Sequence, residues 1–238
     1  DKFGLTHNTL ILFIADHGST NKGSLLKTRG TEVPCIIKWP AGITAGTNCH
    51  ELIQNTDFVP TWFQLAGATA PSKYQMDGLT ISPLFESPTA PIRDYVYAEI
   101  GAARSVKTKR FNYIALRYTR DQIEAVQQGS RRQIKSITGL TGGVARSILS
   151  TPDAFANDQL YDLLKDPSEQ NNLARSPEYQ DTLKQMQRTL VTELQKFTKR
   201  PFGELVPGKN TAAAGSYDGT LKTLHKAALE NTKKKPKS

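Results

Sequence analysis

The chain has 238 residues, of which 37% are hydrophobic and 22% are charged, so it is long enough to form one large or two small domains around a buried core. No apolar run approaches the roughly 20 residues that a membrane-spanning helix needs, so no membrane span is predicted. The formal net charge is +9, and four of those positive charges lie in the lysine run at 233–237. A basic surface attracts polyanions, but the sequence lacks zinc-finger spacing and an aromatic RNA-binding consensus, so no specific nucleic-acid partner is predicted.

The sequence opens with Asp-Lys-Phe-Gly rather than with methionine, and it enters an apolar stretch almost at once. This opening predicts that the chain is a piece of a longer protein. Cys35 lies in an apolar run and is expected to be a small core residue, whereas Cys49 lies in a polar segment. Two cysteines are not a disulfide framework, and the sequence leaves their pairing open.

The first predicted strand, at 10–15, ends abruptly in Asp16, His17 and Gly18. In an open α/β sheet, ligands and catalytic groups gather beyond the carboxyl ends of the strands. Asp16 and His17 therefore occupy a position where a metal or an anionic substrate is expected to bind. A strand cap, with Asp16 only satisfying nearby amides, is the structural alternative that the motif by itself leaves open.

Further elements follow in chain order. A polar loop at 16–30 carries three basic residues, Lys22, Lys27 and Arg29, and loops of this length are often functional. A second strand is predicted at Cys35–Lys38. A helix is predicted at 57–67, in which Asp57 is the candidate cap and Gly67 the C-terminal stop.

The pattern changes after residue 88. Three short runs of β-branched and aromatic residues, at 95–98, 103–106 and 111–118, predict an antiparallel meander. A last strand is predicted at 160–163, and a long helix at 176–199 with Ser176 as its cap. The apolar face of that helix recurs at spacings of three and four and consists of Leu183, Met186, Leu190, Leu194 and Phe197.

These elements predict an α/β protein with three parts. Residues 1–88 are expected to form the C-terminal part of a larger α/β sheet. Residues 89–206 are expected to form a small antiparallel sheet with the long helix packed on it. Residues 207–238, rich in glycine, alanine and lysine, are expected to form a flexible basic tail.

Five segments also follow one another in a recognisable order. They are the strand and turn at 8–18, the lysine loop and strand at 22–42, the Asp-x-x-Pro-Thr helix at 57–67, the Asp-Gly segment at 77–84, and the Leu-Tyr-Asp-Leu and Asp-Pro-x-Glu-x-x-Asn-Leu-Ala run at 160–174. Together they resemble the C-terminal half of type I, formylglycine-dependent sulfatases, which are members of the alkaline-phosphatase superfamily. The resemblance implies the α/β sheet sandwich of that superfamily.

The resemblance also implies an activity. These enzymes hydrolyse sulfate esters with a formylglycine, which is made from the first residue of a Cys-x-Pro/Ala-x-Arg motif, and with a divalent cation, usually Ca²⁺. By resemblance, Asp16 and His17 occupy the paired positions of the second metal-ligand element, and His17 is alternatively a contact of the sulfate or the nucleophile. Lys22 matches the sulfate-binding, catalytic lysine, while Lys27 and Arg29 compete for contact with the substrate because the loop departs from the family spacing.

The departures from the pattern limit what the chain is expected to do. Neither Cys35 nor Cys49 lies in a Cys-x-Pro/Ala-x-Arg context, and the acidic pair of the first metal-ligand element has no counterpart. We therefore expect the formylglycine to lie in a preceding part of the protein, and this polypeptide alone to be inactive. The full-length protein is expected to be periplasmic or secreted and to act on a sulfated small molecule or glycan. Two alternatives remain: a phosphoesterase or phosphonate hydrolase of the same superfamily, and a non-catalytic polyanion-binding module.

Overall fold

A computed structural model describes residues 2–18, 25–69, 76–100, 103–117, 153 and 156–197. The chain divides into two compact units: the first comprises Asp1–Asp16 and Val33–Val96, and the second comprises His17–Glu32 and Tyr97–Ser238. Two predicted features, the side chain of Lys22 and the tail at 207–238, lie outside the described residues.

The regular elements alternate between short helices and strands. In chain order they are β1 (Ile11–Ile14), α1 (Thr28–Thr31), β2 (Cys35–Lys38), α2 (Phe58–Leu65), α3 (Pro83–Glu86), β3 (Val96–Ile100), β4 (Ala103–Lys107), β5 (Phe111–Leu116), β6 (Asp158–Asp162) and α4 (Gln180–Leu194). Short 3-10 turns lie at Thr6–Asn8, Asn55–Asp57 and Pro177–Tyr179. No helix among the described residues is long and apolar enough to cross a membrane.

The first unit is built on a two-stranded sheet. β1 and β2 pair antiparallel, with Ile11 opposite Lys38 and Ile14 opposite Cys35, so both strands predicted for this region are confirmed. Side chains alternate between the two faces of a strand, and one face of this sheet packs on α2 and α3. The apolar residues of that cluster are Leu12, Ile14, Cys35, Ile37, Ile53, Phe58, Trp62, Ile81, Leu84, Phe85, Ala90 and Ile92.

Asp57 does not cap α2, contrary to the prediction, because its side chain makes no capping bond to that helix. Its Oδ2 accepts the N–H of Gln54 at 2.6 Å and so closes the preceding turn on itself. Its Oδ1 accepts the N–H of Leu79 at 2.9 Å and Nη2 of Arg93 at 2.5 Å. Asp57 is fully buried, so this carboxylate ties three segments of the first unit together.

The second unit contains a four-stranded sheet in the order β3-β4-β5-β6. β5 pairs antiparallel with both β4 and β6, which confirms the predicted antiparallel sheet. Four consecutive residues of β5, from Asn112 to Ala115, are buried, as are the last four of β6. A strand buried on both faces shows that this sheet is covered on each side.

The long helix α4 lies against β4 and β5. Its buried residues are Leu183, Met186, Leu190 and Leu194, which confirms four of the five residues predicted for its apolar face. The start of the helix differs from the prediction: the side chain of Ser176 makes no capping bond, a 3-10 turn follows at Pro177–Tyr179, and α4 begins at Gln180. The helix ends at Leu194, and Phe197 stacks on Tyr97 with ring centroids 5.6 Å apart.

Candidate functional site

In the second unit, which begins at His17, a hydrogen bond closes the loop that starts at Gly18. The N–H of Gly18 donates to the carbonyl oxygen of Gly30 at 2.9 Å, so the two ends of the loop at 18–30 meet. A Cβ atom at Gly18 would lie 2.3 Å from the carbonyl oxygen of Arg29, which is too close for any side chain. Glycine at position 18 is therefore what allows His17 and Arg29 to lie on adjoining segments.

The imidazole of His17 is fixed by the loop itself. Its Nδ1 lies 2.8 Å from the carbonyl oxygen of Gly18. A carbonyl oxygen only accepts hydrogen bonds, so the contact places a proton on Nδ1. In the neutral ring the lone pair is then on Nε2.

Two of the three basic residues predicted for the site, Lys27 and Arg29, lie in the described part of the chain and have different surroundings. Arg29 is exposed, while Lys27 is only 6% exposed. The ammonium of Lys27 donates to the main-chain oxygen of Glu169 at 2.5 Å and lies 4.5 Å from the ring centroid of Tyr161. Burial lowers the pKa of Lys27, and nearby carboxylates, first that of Glu169, oppose this effect. Arg29 is therefore placed to meet solvent and solutes, and Lys27 points into the fold.

The carboxylate of Glu169 joins the loop to the sheet. Its Oε2 accepts the N–H of Thr28, the first residue of α1, at 2.6 Å, and its Oε1 accepts Nδ2 of Asn112 on β5 at 2.6 Å. The same Nδ2 donates to the carbonyl oxygen of Leu26 at 3.1 Å. We call Glu169, Asn112 and Lys27 the loop anchor, because the three side chains link the loop to two other elements.

The loop anchor is an internal polar cluster. Glu169 is 1% exposed and Asn112 fully buried. Burial raises the pKa of Glu169, and the hydrogen bonds from Asn112 and Thr28 and the charges of Lys27 and Lys107 oppose that rise. Buried polar groups cost free energy unless they are hydrogen-bonded, and here each carboxylate oxygen has a donor.

The residues predicted to bind a metal fit that role unequally. Asp16 is an exposed carboxylate, and carboxylate oxygens are the ligands that Ca²⁺ takes, whereas the nitrogen of His17 better suits transition metals. Across the residues the structure describes, no three His, Cys, Asp or Glu side chains gather as a metal centre would require. Of the two residues predicted to bind a metal, Asp16 is thus the one whose donor atoms suit Ca²⁺.

Sequence reasoning gave no role to Glu169 or Asn112. Glu169 lies in the segment at 160–174 and was used only as part of the sequence motif that carries the resemblance, with no role of its own. Asn112 lies inside the apolar run of β5. An amide within such a run is the available signal, because a buried amide needs hydrogen-bond partners.

The sequence comparisons match this chain to sulfatases. Residues 16–128 match the family model described as N-sulphoglucosamine sulphohydrolase, C-terminal. An ulvan-active sulfatase from Formosa agariphila is 35% identical over 188 residues, which cover 74% of this chain and 35% of that protein. The chain spans about a third of the length of the curated relatives it matches.

Solved structures show the same fold. A protein in complex with its substrate D-glucosamine-2-N,6-O-disulfate matches with a TM-score of 0.60 and 21% identity, covering 84% of this chain and 37% of that one. The phosphonate monoester hydrolase of Agrobacterium radiobacter matches with a TM-score of 0.54 and 20% identity, covering 82% of this chain and 36% of that one. At these identities the likeness concerns the fold, which is that of alkaline-phosphatase-like sulfatases.

Proposed function

We propose, from the premise that this chain resembles the C-terminal region of the sulfatases, that it supplies part of the active site of a sulfate-ester hydrolase. The observation that carries the proposal is the closure of the loop by the Gly18–Gly30 hydrogen bond. That closure joins His17 to a segment bearing the exposed guanidinium of Arg29. A hydrolase of sulfate esters needs fixed positive charge around the transferring group, and donors held in place before the reaction stabilise it best.

The residues of the loop take distinct roles in this proposal. Arg29 and Lys22 bind the sulfate oxygens, and His17, with its proton on Nδ1, presents Nε2 to the reacting group. Lys27 belongs to the loop anchor, because its ammonium is already bonded inside the fold. Asp16 holds the divalent cation, which we propose to be Ca²⁺; when bound, the cation neutralises charge on the sulfate oxygens.

Other parts of the site lie in a longer protein. The formylglycine nucleophile and the remaining cation ligands are assigned to a region that precedes this chain. An exposed apolar strip on the first unit supports this assignment: Phe13 and Ile36, paired across β1 and β2, are each 62% exposed. Apolar side chains that lie side by side on a sheet face mark a surface that another element covers.

The substrate class we propose is a sulfated glycan. The matched relatives include a sulfatase active on ulvan and a structure that holds a disulfated glucosamine. The net charge of +9 suits a polyanionic substrate. An enzyme that acts on such polymers works where they occur, so we assign the full-length protein to the periplasm or the exterior of the cell.

The direct test compares the full-length protein with the 238-residue chain. We expect the full-length protein to hydrolyse 4-nitrophenyl sulfate and sulfated saccharides in a manner that chelation of Ca²⁺ abolishes. The 238-residue chain, lacking the nucleophile, is expected to give no turnover. Replacing Lys22 or Arg29 with alanine in the full-length protein should raise KM for the sulfate ester, while Lys109→Ala, a basic residue outside the loop, serves as the control.

Two other outcomes would identify other functions. A full-length protein that prefers 4-nitrophenyl phosphate or a phosphonate monoester is a phosphorus hydrolase, which the fold also accommodates. A 238-residue chain that folds alone and binds heparin with strong salt dependence, in a protein without esterase activity, is a polyanion-binding module.

A further inference from the structure

We infer that Glu169 is a positioning residue for the segment at 26–30: it fixes this segment through Thr28 and Asn112 and does not touch the substrate. The inference rests on the proposed function of the loop at 18–30. Its basis is that one buried carboxylate restrains two main-chain groups, the N–H of Thr28 and, through Asn112, the carbonyl of Leu26. Oε2 binds the N–H of Thr28 directly, and Oε1 orients Asn112, whose amide binds the carbonyl of Leu26.

The positions that Glu169 holds belong to a hydrogen-bonded turn. Within that turn, Gly30 and Thr31 donate their N–H groups to the carbonyl oxygen of Lys27 at 2.9 and 3.1 Å. A restraint on the N–H of Thr28 is therefore passed to Gly30, whose carbonyl oxygen closes the loop on Gly18. Glu169 thus sets where Arg29 lies along the segment that adjoins His17.

Two strained residues mark the same contact. Glu169 and Leu26 both have a φ of +54°, in the left-handed region that side-chain-bearing residues seldom adopt. Residues held in such conformations persist only where surrounding contacts determine them, and they cluster at functional sites. Here both residues belong to the contact between the loop and the segment after β6.

The side chain of Lys27 completes the attachment from the other direction. While Glu169 holds main-chain groups of the loop, Lys27 reaches from the loop to the main-chain oxygen of Glu169 and to the ring of Tyr161. Consecutive contacts at 26, 27 and 28 thus all point inward. The loop is left with Arg29 as the exposed residue of this turn.

Glu169→Gln isolates the charge and hydrogen-bond pattern of the carboxylate at constant size. The glutamine can still accept from Thr28, but its amide nitrogen then faces the amide nitrogen of Asn112, and two donors cannot bond to each other. Turning the Asn112 amide over would let its unpartnered Oδ1 accept from the glutamine, but this would give up the bond to the carbonyl oxygen of Leu26. Glu32→Gln is the matched control, because Glu32 follows the same turn and its side chain is 70% exposed. Tyr113→Phe controls for stability alone, since it removes a hydrogen bond to Asp158 elsewhere in the sheet.

Two readouts separate this inference from the proposed function. The first is hydrogen exchange of the peptide that contains Gly18 in the full-length protein, followed by mass spectrometry. The second is kcat/KM for 4-nitrophenyl sulfate in the full-length protein, together with the inhibition constant of inorganic sulfate. For Glu169→Gln we expect exchange to accelerate and kcat/KM to fall, each on the order of tenfold to a hundredfold, because hydrogen bonds to a charged group are being lost.

The possible results distinguish failure of this inference from failure of the proposed function. If Glu169→Gln changes exchange and sulfate inhibition no more than Glu32→Gln or Tyr113→Phe does, the inference is wrong while the proposed function stands. If the wild-type full-length protein neither hydrolyses the sulfate ester nor binds sulfate, the proposed function fails, and the inference fails with it.

Lys27→Met is the second variant, should Glu169→Gln not fold. It keeps the packing on Tyr161 and removes only the ammonium. We expect a loss of about tenfold or less in kcat/KM, the size of one internal hydrogen bond. A loss of a thousandfold or more in this variant would instead make Lys27 a substrate contact and overturn its place in the loop anchor.

Discussion

The two sheets of the molecule are buried to different extents. In β1 and β2 of the first unit, exposed and half-buried residues alternate along each strand. In β5 and β6 of the second unit, runs of four residues are buried without a break. The first sheet therefore has one covered face, while the second is packed on both sides.

This difference indicates what each unit needs in order to be stable. A two-stranded sheet is marginal by itself, and the first unit adds a buried ion pair between Asp57 and Arg93 to its apolar cluster. The second unit draws on a continuous core of side chains such as Tyr161 and Leu190, both fully buried. We expect substitutions in the two units to act through different physical causes, and both tryptophans, Trp39 and Trp62, lie in the first unit and report on it selectively.

The largest effect is expected at the ion pair of the first unit. Asp57→Ala leaves the guanidinium of Arg93 buried without its partner and removes two main-chain hydrogen bonds, so it should lower the free energy of unfolding by about 3–5 kcal/mol. Urea unfolding followed by tryptophan fluorescence measures this change. Glu86→Ala is the control: it removes an exposed carboxylate of the same unit and should change the free energy of unfolding by about 0.5 kcal/mol or less.

The core of the second unit should be nearly as sensitive. Leu190→Ala on α4 creates a cavity in a fully buried position and should cost about 2–5 kcal/mol. Leu164→Ala makes the same chemical change at a residue that is 72% exposed and should stay within about 0.5 kcal/mol. Far-ultraviolet circular dichroism is the measurement. Equal losses in the two variants would show that the second unit has no continuous core.

Alkaline pH should destabilise the second unit in particular. Burial raises the pKa of both Tyr113 and Tyr161 above the usual value, so the folded chain keeps their protons while the unfolded chain loses them above about pH 10. Stability therefore falls as pH rises beyond that point, by about 1.4 kcal/mol per pH unit for each such tyrosine. Urea unfolding between pH 10 and 11.5 tests this, and Tyr161→Phe should show a shallower fall than the wild type.

The smallest effect on stability is expected on the open face of the first sheet. Phe13→Thr should change the free energy of unfolding by about 0.5 kcal/mol or less, because Phe13 faces solvent, but it should reduce self-association in sedimentation velocity experiments. Leu12→Thr, one residue earlier on the covered face, should destabilise by about 1–3 kcal/mol. If the two variants behave alike, the two faces of the sheet do not differ as described.

Sequence patterns predicted most of the fold where local signals were strong. β2 was predicted to the residue, and the apolar spacing along α4 identified its buried face. The patterns failed at element ends. Asp57 and Ser176 are both of residue types that favour helix caps. The carboxylate of Asp57 instead bonds to Gln54 and Arg93, and a 3-10 turn separates Ser176 from α4.

The candidate site was predictable only in part. The Asp-His-Gly turn and the basic loop are local in sequence, and their composition points to anion and cation binding. The loop anchor is not local: Glu169 binds Thr28 across 141 positions and Asn112 across 57. The spacing of residues along the sequence does not indicate which of the three basic residues in the loop turns inward. That choice depends on contacts between residues far apart in the sequence, which form only when the sheet is assembled.

The attachment of the loop through main-chain atoms has a consequence for how such a site diversifies. Glu169 accepts a hydrogen bond from the main-chain N–H of residue 28, and every amino acid except proline has that group. The side chain at position 28 takes no part in this bond, although its hydroxyl is buried, and the exposed side chain at 29 takes no part in the anchor. A lineage that keeps Glu169 and Asn112 can vary the exposed position 29 and so adapt to differently substituted anions on an unchanged frame.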